Sequence, residues 1–141
     1  MNYRKFSMLF LSLVVIILIS TACNVIGGSK TYKIGLLSPQ TGPIAVYAPG
    51  FEDAANVAIA ELNDNEDGNV YELIVADSGC DGTQAATAAQ TLIDSGVVGI
   101  VGAACSGATL GAIAVASEAG VPMVSYASTS PAVTTASDNG Y

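Results

Sequence analysis

The alternation of short apolar runs with alanine-rich, helically spaced stretches constrains this chain more than any other feature. Val97-Val98-Gly99-Ile100-Val101 is apolar throughout. That is the pattern of a strand enclosed in a parallel sheet rather than one with a wet face. Similar runs stand at Tyr32–Ser38, Tyr71–Ala76 and Val121–Ser125. Between them, apolar residues recur at helical intervals. Phe51, Ala54, Ala55, Ala58 and Leu62 mark one face of a helix over Phe51–Leu62, which the polar cluster Asn63–Asn69 ends. Asp81-Gly82-Thr83 offers cap residues for a second helix, with Ala86, Ala89, Leu92 and Ile93 as its buried stripe and Gly96 as its stop. Ser106 opens a third helix and Gly120 closes it. Four strands alternating with three helices predict an α/β fold: a doubly wound, mostly parallel sheet with helices on both faces and right-handed crossovers. No fourth helix is expected in the Ser/Thr/Pro-rich stretch after the fourth strand, and the chain reads as part of a larger domain.

Composition removes several function classes. The 141 residues hold 4 Lys+Arg against 12 Asp+Glu, a net charge of −8. So acidic a chain lacks a phosphate-tracking groove, so nucleic acid is not an expected partner. It has no His. Within these residues that excludes a Ser-His-Asp or Cys-His nucleophile and a His-based zinc site. Asp77 and Asp81 flank Cys80, but two carboxylates are too few for a metal, and Asp77-Ser78-Gly79-Cys80-Asp81 reads as a strand-end turn. No metal, no cofactor and no enzymatic activity are expected.

The N-terminus reads as an address. Arg4 and Lys5 precede an apolar run over Met8–Ile19 that only Ser12 interrupts, and Ser20-Thr21-Ala22-Cys23 follows. The run is too short to cross a hydrocarbon core of about 30 Å, and the pattern is that of a secretory signal over residues 1–22. Ala22-Cys23 resembles a bacterial lipobox, in which the cysteine is lipidated and becomes the mature N-terminus. Ser20 departs from that pattern, which prefers Leu. Residues 23–31, with Gly27-Gly28-Ser29, have the composition of a flexible tether. Residues 32–141 carry the α/β pattern.

In open parallel sheets, ligands sit outside the carboxyl ends of the strands. Three loops leave those ends: Pro39–Gly50, Cys105–Ser106 and Tyr126–Pro131. Ser106 stands where a helix N-terminus presents orphan N–H groups and partial positive charge, a setting for a carboxylate. It serves equally well as a plain N-cap. Ser128-Thr129-Ser130 offers hydroxyls at the neighbouring strand end, for a ligand or for the loop's own turns. Tyr47 is either a wall of the site or ordinary surface. Cys80 and Cys105 follow adjacent strands of an exported chain, so a disulfide is the default. A reactive Cys105 at the helix N-terminus is the alternative.

The segments KIGLLSPQTGPIAVYAPGFEDAANVAIAELN, ADSGCDGTQAATAAQTLIDSGVVGIVGAACSG and EAGVPMVSYASTSPAVT resemble, in order and spacing, the N-terminal part of a family. It is the type I periplasmic binding proteins of the branched-chain amino-acid (Leu/Ile/Val) ABC-transporter kind. The resemblance implies a two-lobe fold, of which this chain carries part of the first lobe. It places Ser106 on a ligand carboxylate, the Ala127 carbonyl on an ammonium, Thr129 on both, and Tyr47 at the cleft wall. It pairs Cys80 with Cys105. It implies an exported, lipid-anchored binding protein at the cell membrane, facing the periplasm or the cell exterior. Such a protein captures an amino acid and hands it to permease subunits. A ligand-binding sensor for amino acids or amides is the competing function.

Overall fold

A computed structural model describes residues 29–65 and 68–137. The expected signal, Cys23 and the tether up to Gly28 lie outside the described residues. Strand β1 (Thr31–Ser38) leads through a single 3-10 turn (Ala45–Tyr47) into α1 (Ala48–Asn63). There follow β2 (Val70–Asp77), α2 (Gly82–Asp94), β3 (Val97–Val101), α3 (Ser106–Glu118), β4 (Met123–Val124) and α4 (Pro131–Ser137). The four strands form one sheet in the order β2-β1-β3-β4, parallel throughout. Residues 29–31 include the first residue of β1, so the tether expected over 23–31 gives way to sheet at Thr31.

Consecutive strand residues point to opposite faces, and Leu36 and Leu37 show what each face meets. Leu37 lies in the core that α2 and α3 close with Ala85, Ala88, Ala89, Leu92, Ala108, Ala112 and Ala116. The small residues let these elements come close. Gly35 leaves room for Leu92, whose Cδ1 would lie 2.9 Å from an added Cβ. A Cβ on Gly111 would collide with the Gly82 carbonyl of the facing helix. Leu36 points the other way, into an apolar groove of 410 Å³ that it lines with Phe51, Ala54, Ala55, Val101 and Tyr126.

Several expectations change. The first helix starts at Ala48, not Phe51, because Pro49 sits in its first turn, where a missing N–H costs nothing. Its expected stripe is not covered: Ala54 and Ala58 are exposed and Leu62 is 38% exposed. In α2 the buried stripe is Ala85, Ala88, Ala89 and Leu92, with Ala86 and Ile93 only partly covered. β3 is not enclosed on both faces, since Val98 and Val101 are exposed. β4 is two residues long rather than five. A fourth helix does follow it, with Pro131 as its first residue.

Other signals act as read. Asp81 is the N-cap of α2, and its side chain accepts the Gln84 N–H at 2.9 Å. Gly96 and Gly120 follow α2 and α3 with φ of 83° and 67°, the left-handed region that favours glycine after a helix.

Candidate functional site

The chain moves from β1 outward to β2, then returns across β1 to β3. The strand order therefore reverses between β1 and β3, and the crevice outside their carboxyl ends is where such sheets take ligands. The backbones close tightly there. Gly102 follows β3 at φ 132°, and a Cβ on it would lie 2.7 Å from Cβ of Leu37.

Ser106 is the first residue of α3, and Cys105 is the N-cap, without a side-chain cap bond. The capping role considered for Ser106 is therefore not the one it takes. Its Oγ accepts the Thr129 and Ser130 N–H groups, each at 3.2 Å. Ser106 and Thr129 are thus brought together across 23 residues of chain. Two acceptor positions on the hydroxyl are used, so its proton is left to donate. Ala127 lies exposed in the same loop.

Below this loop a buried hub holds it in place. Thr109 is 2% exposed. Its Oγ1 accepts the Ala103 N–H at 3.1 Å, donates to the Ala103 carbonyl at 3.2 Å and lies 2.6 Å from the Ser128 hydroxyl. The Ser125 hydroxyl donates to the same carbonyl at 2.8 Å. Sequence reasoning passed over Thr109 and Ser125. The available signal was a lone hydroxyl on the alanine face of α3, three residues after Ser106.

On the β1 side, Ser38 is fully buried, and its hydroxyl donates to Glu52 of α1 at 2.8 Å. Gln40 donates to the same carboxylate oxygen at 3.0 Å. The Tyr126 ring packs on Phe51 with centroids 4.8 Å apart, and its hydroxyl donates to the Leu37 carbonyl at 3.0 Å. Burial, with the nearby Glu52 charge, pushes the Tyr126 phenol up to about 12. Tyr47 ends the 3-10 turn and is 61% exposed.

The Ser78–Asp81 segment is the turn expected from sequence, closed by the Asp81 N–H on the Ser78 carbonyl at 3.0 Å. The strands that Cys80 and Cys105 follow, β2 and β3, are not the neighbours expected, since β1 lies between them, but the turn sets Cys80 opposite Cys105, with Cα atoms 5.2 Å apart, inside the range a disulfide spans. Among the described residues no group of three or more Cys, Asp or Glu side chains is arranged to hold a metal.

A parallel α/β sheet whose strand-end loops converge at the switch point defines the class: a fold that takes small ligands in a crevice. Residues 31–141 match the family described as Periplasmic binding protein, and the chain belongs to that family. A leucine-, isoleucine-, valine-, threonine- and alanine-binding protein of Pseudomonas aeruginosa is 33% identical over 108 residues, 75% of this chain and 29% of that protein. The solved branched-chain amino acid transporter substrate binding protein LivJ of Streptococcus pneumoniae, in complex with isoleucine, matches with a TM-score of 0.70 and 34% identity. That match covers 77% of this chain and 32% of that one. A solute binding protein of an ABC transporter from Rhodopseudomonas palustris, in complex with 3,4-dihydroxy benzoic acid, matches with a TM-score of 0.69 and 29% identity, over 77% and 30% of the two chains. The chain thus spans less than a third of each of these proteins. The family is one of binding proteins rather than enzymes, and the resemblance carried by the three sequence segments is borne out.

Proposed function

We propose that this chain is part of the ligand-binding lobe of an extracytoplasmic solute-binding protein that captures an amino acid, branched-chain in preference, for an ABC-transporter permease. The observation that carries the reading is Ser106. Its oxygen is occupied by two loop N–H groups, its proton is left to donate, and it stands at a helix N-terminus that favours negative charge. That is a receptor for a carboxylate. The Ala127 carbonyl takes the ammonium, Thr129 serves both charged groups, and Tyr47 walls the cleft. In the same reading Cys80 and Cys105 are joined as a disulfide, and Cys23 carries the lipid that anchors the protein at the membrane, facing the periplasm or the cell exterior.

The benzoate-bound relative supports a second ligand class. Benzoates and amino acids share the carboxylate and differ in the ammonium. Ser106, and Thr129 on its carboxylate side, serve both classes, whereas the Ala127 carbonyl serves the amino acid alone.

The test is calorimetric titration of the intact protein, wild type and Ser106→Ala, with L-leucine and with 3,4-dihydroxybenzoate. A charge-assisted hydrogen bond is worth about 1.5–3 kcal/mol, so Ser106→Ala should weaken the bound ligand roughly 10- to 150-fold. Unchanged affinity beside a lowered melting temperature would reduce Ser106 to a loop tie. Binding of the benzoate alone would move the ligand out of the amino-acid class.

A further inference from the structure

We propose that Asp77 is the positioning residue of the cleft: its carboxylate pins the Tyr47-bearing loop onto the strand ends and so fixes where that wall stands. The consequence for ligand rests on the function proposed above, but the geometry does not.

Asp77 is the last residue of β2, and its two oxygens collect donors from three separate segments. Oδ1 accepts the Gly79 N–H at 2.9 Å and the Thr41 N–H at 3.0 Å. Oδ2 accepts the Thr41 hydroxyl at 2.6 Å and the Gln84 amide at 2.9 Å. The Gly79 bond alone is the ordinary local bond of an aspartate to the backbone two residues on. The Thr41 pair is different: it reaches 36 residues back along the chain, into the loop that ends in Tyr47.

Two further observations point the same way. Gly42, at φ 88°, lies so close to the Gly79 carbonyl that a Cβ on it would collide, so the two loops are in contact where the carboxylate holds them. Gln84 sits three residues after the Asp81 cap, where a capping box would send its side chain back to the N-cap N–H. It donates to Asp77 instead. All four partners act as donors here, which suits an ionised carboxylate. The Asp77 turn continues into Cys80, which lies against Cys105 beside Ser106. Through that contact the turn that follows the pin is tied to the residue that precedes Ser106.

The experiment compares wild type, Asp77→Ala, Asp77→Asn, Tyr47→Ala and the Asp77→Ala/Tyr47→Ala double variant of the intact protein. Amide hydrogen exchange without ligand comes first. Exchange over residues 41–47 should quicken roughly 10-fold or more in both Asp77 variants, while α3 and β3 keep their protection. Titration with L-leucine comes second. Asp77→Ala should weaken binding about 5- to 50-fold with Tyr47 present and little in the Tyr47→Ala background, where the wall is already gone. A merely structural aspartate would lower stability and leave that coupling at zero. Should Asp77→Ala fail to fold, Thr41→Val removes one donor and should move both readouts in the same direction. Unchanged exchange over 41–47, unchanged L-leucine affinity, or an undiminished loss in the Tyr47→Ala background each overturns the proposal. A wild-type protein that takes up no L-leucine sinks the ligand reading, and the exchange result then decides the pin by itself.

Discussion

Ser106 shows how far a single residue is legible. A serine at the start of an alanine-rich run marks a helix entry, and the structure has one there. What the hydroxyl does depends on Thr129 and Ser130, which no local pattern connects to it. Thr109 was less visible still, because a threonine among alanines leaves the apolar stripe unbroken. Asp77 was read as a turn residue because its neighbours spell a turn, and its long-range partner Thr41 carries no signal of the pairing. Tyr126 likewise gave no sign that its phenol would be half-buried between Phe51 and β1. Its raised pKa makes a prediction with a definite sign. Burial, then the Glu52 charge, favours the neutral phenol in the folded protein. That contribution to stability is complete below the ordinary tyrosine value of about 10 and is lost as pH rises through about 12. Urea midpoints should therefore fall between pH 10 and 12 more steeply for wild type than for Tyr126→Phe. Ultraviolet titration should show one tyrosinate forming near pH 12 that the variant lacks. Equal slopes would place the phenol in water.

Among the elements, α2 was the most legible, since an N-cap, an alanine stripe and a terminal glycine agree on one answer. The start of α1 was lost because Pro49 and Gly50 read as loop punctuation, although proline is at home in a first helical turn. α4 was lost for the same reason at Pro131, in a segment with no apolar periodicity to offset it. The packing of α2 on α3 rests on glycine in a way that helix propensity argues against. Alanine is about 1 kcal/mol better than glycine inside a helix, so Gly111→Ala should stabilise if α3 stood alone. The added Cβ meets the Gly82 carbonyl, which is backbone and cannot rotate away. Overpacking costs of about 1–3 kcal/mol should win. Gly107, also in α3, meets nothing within 4 Å, and Gly107→Ala should be neutral or mildly stabilising. Chemical denaturation of the two variants checks the pair, and equal effects would mean that the helices are free to move apart.

At the scale of the molecule, the doubly wound parallel sheet follows from the run of elements, but the order of its strands and what covers each face do not. An apolar strand states that it is to be buried, not by what. The parallel register sets Val75, Leu36, Val101 and Val124 in one row across the sheet. α1 lies over the β1 and β2 end of that row. At the other end Val101 is 37% and Val124 is 69% exposed, beside a groove floored by Leu36 and walled by Phe51 and Tyr126. The opposite face is the one that α2 and α3 close. A bare aliphatic row ending on an edge strand is a template for association. Residues 31–137 produced by themselves should bind a hydrophobic dye and sediment with a mass that rises with concentration. Val124→Lys places a charge on that edge, at an exposed position outside the core that α2 and α3 close. It should suppress both effects while leaving the far-ultraviolet circular dichroism unchanged. A wild-type fragment that stays monomeric and dark to the dye would mean that α1 shifts to close the row, and that the exposure of Val124 does not govern how these residues behave.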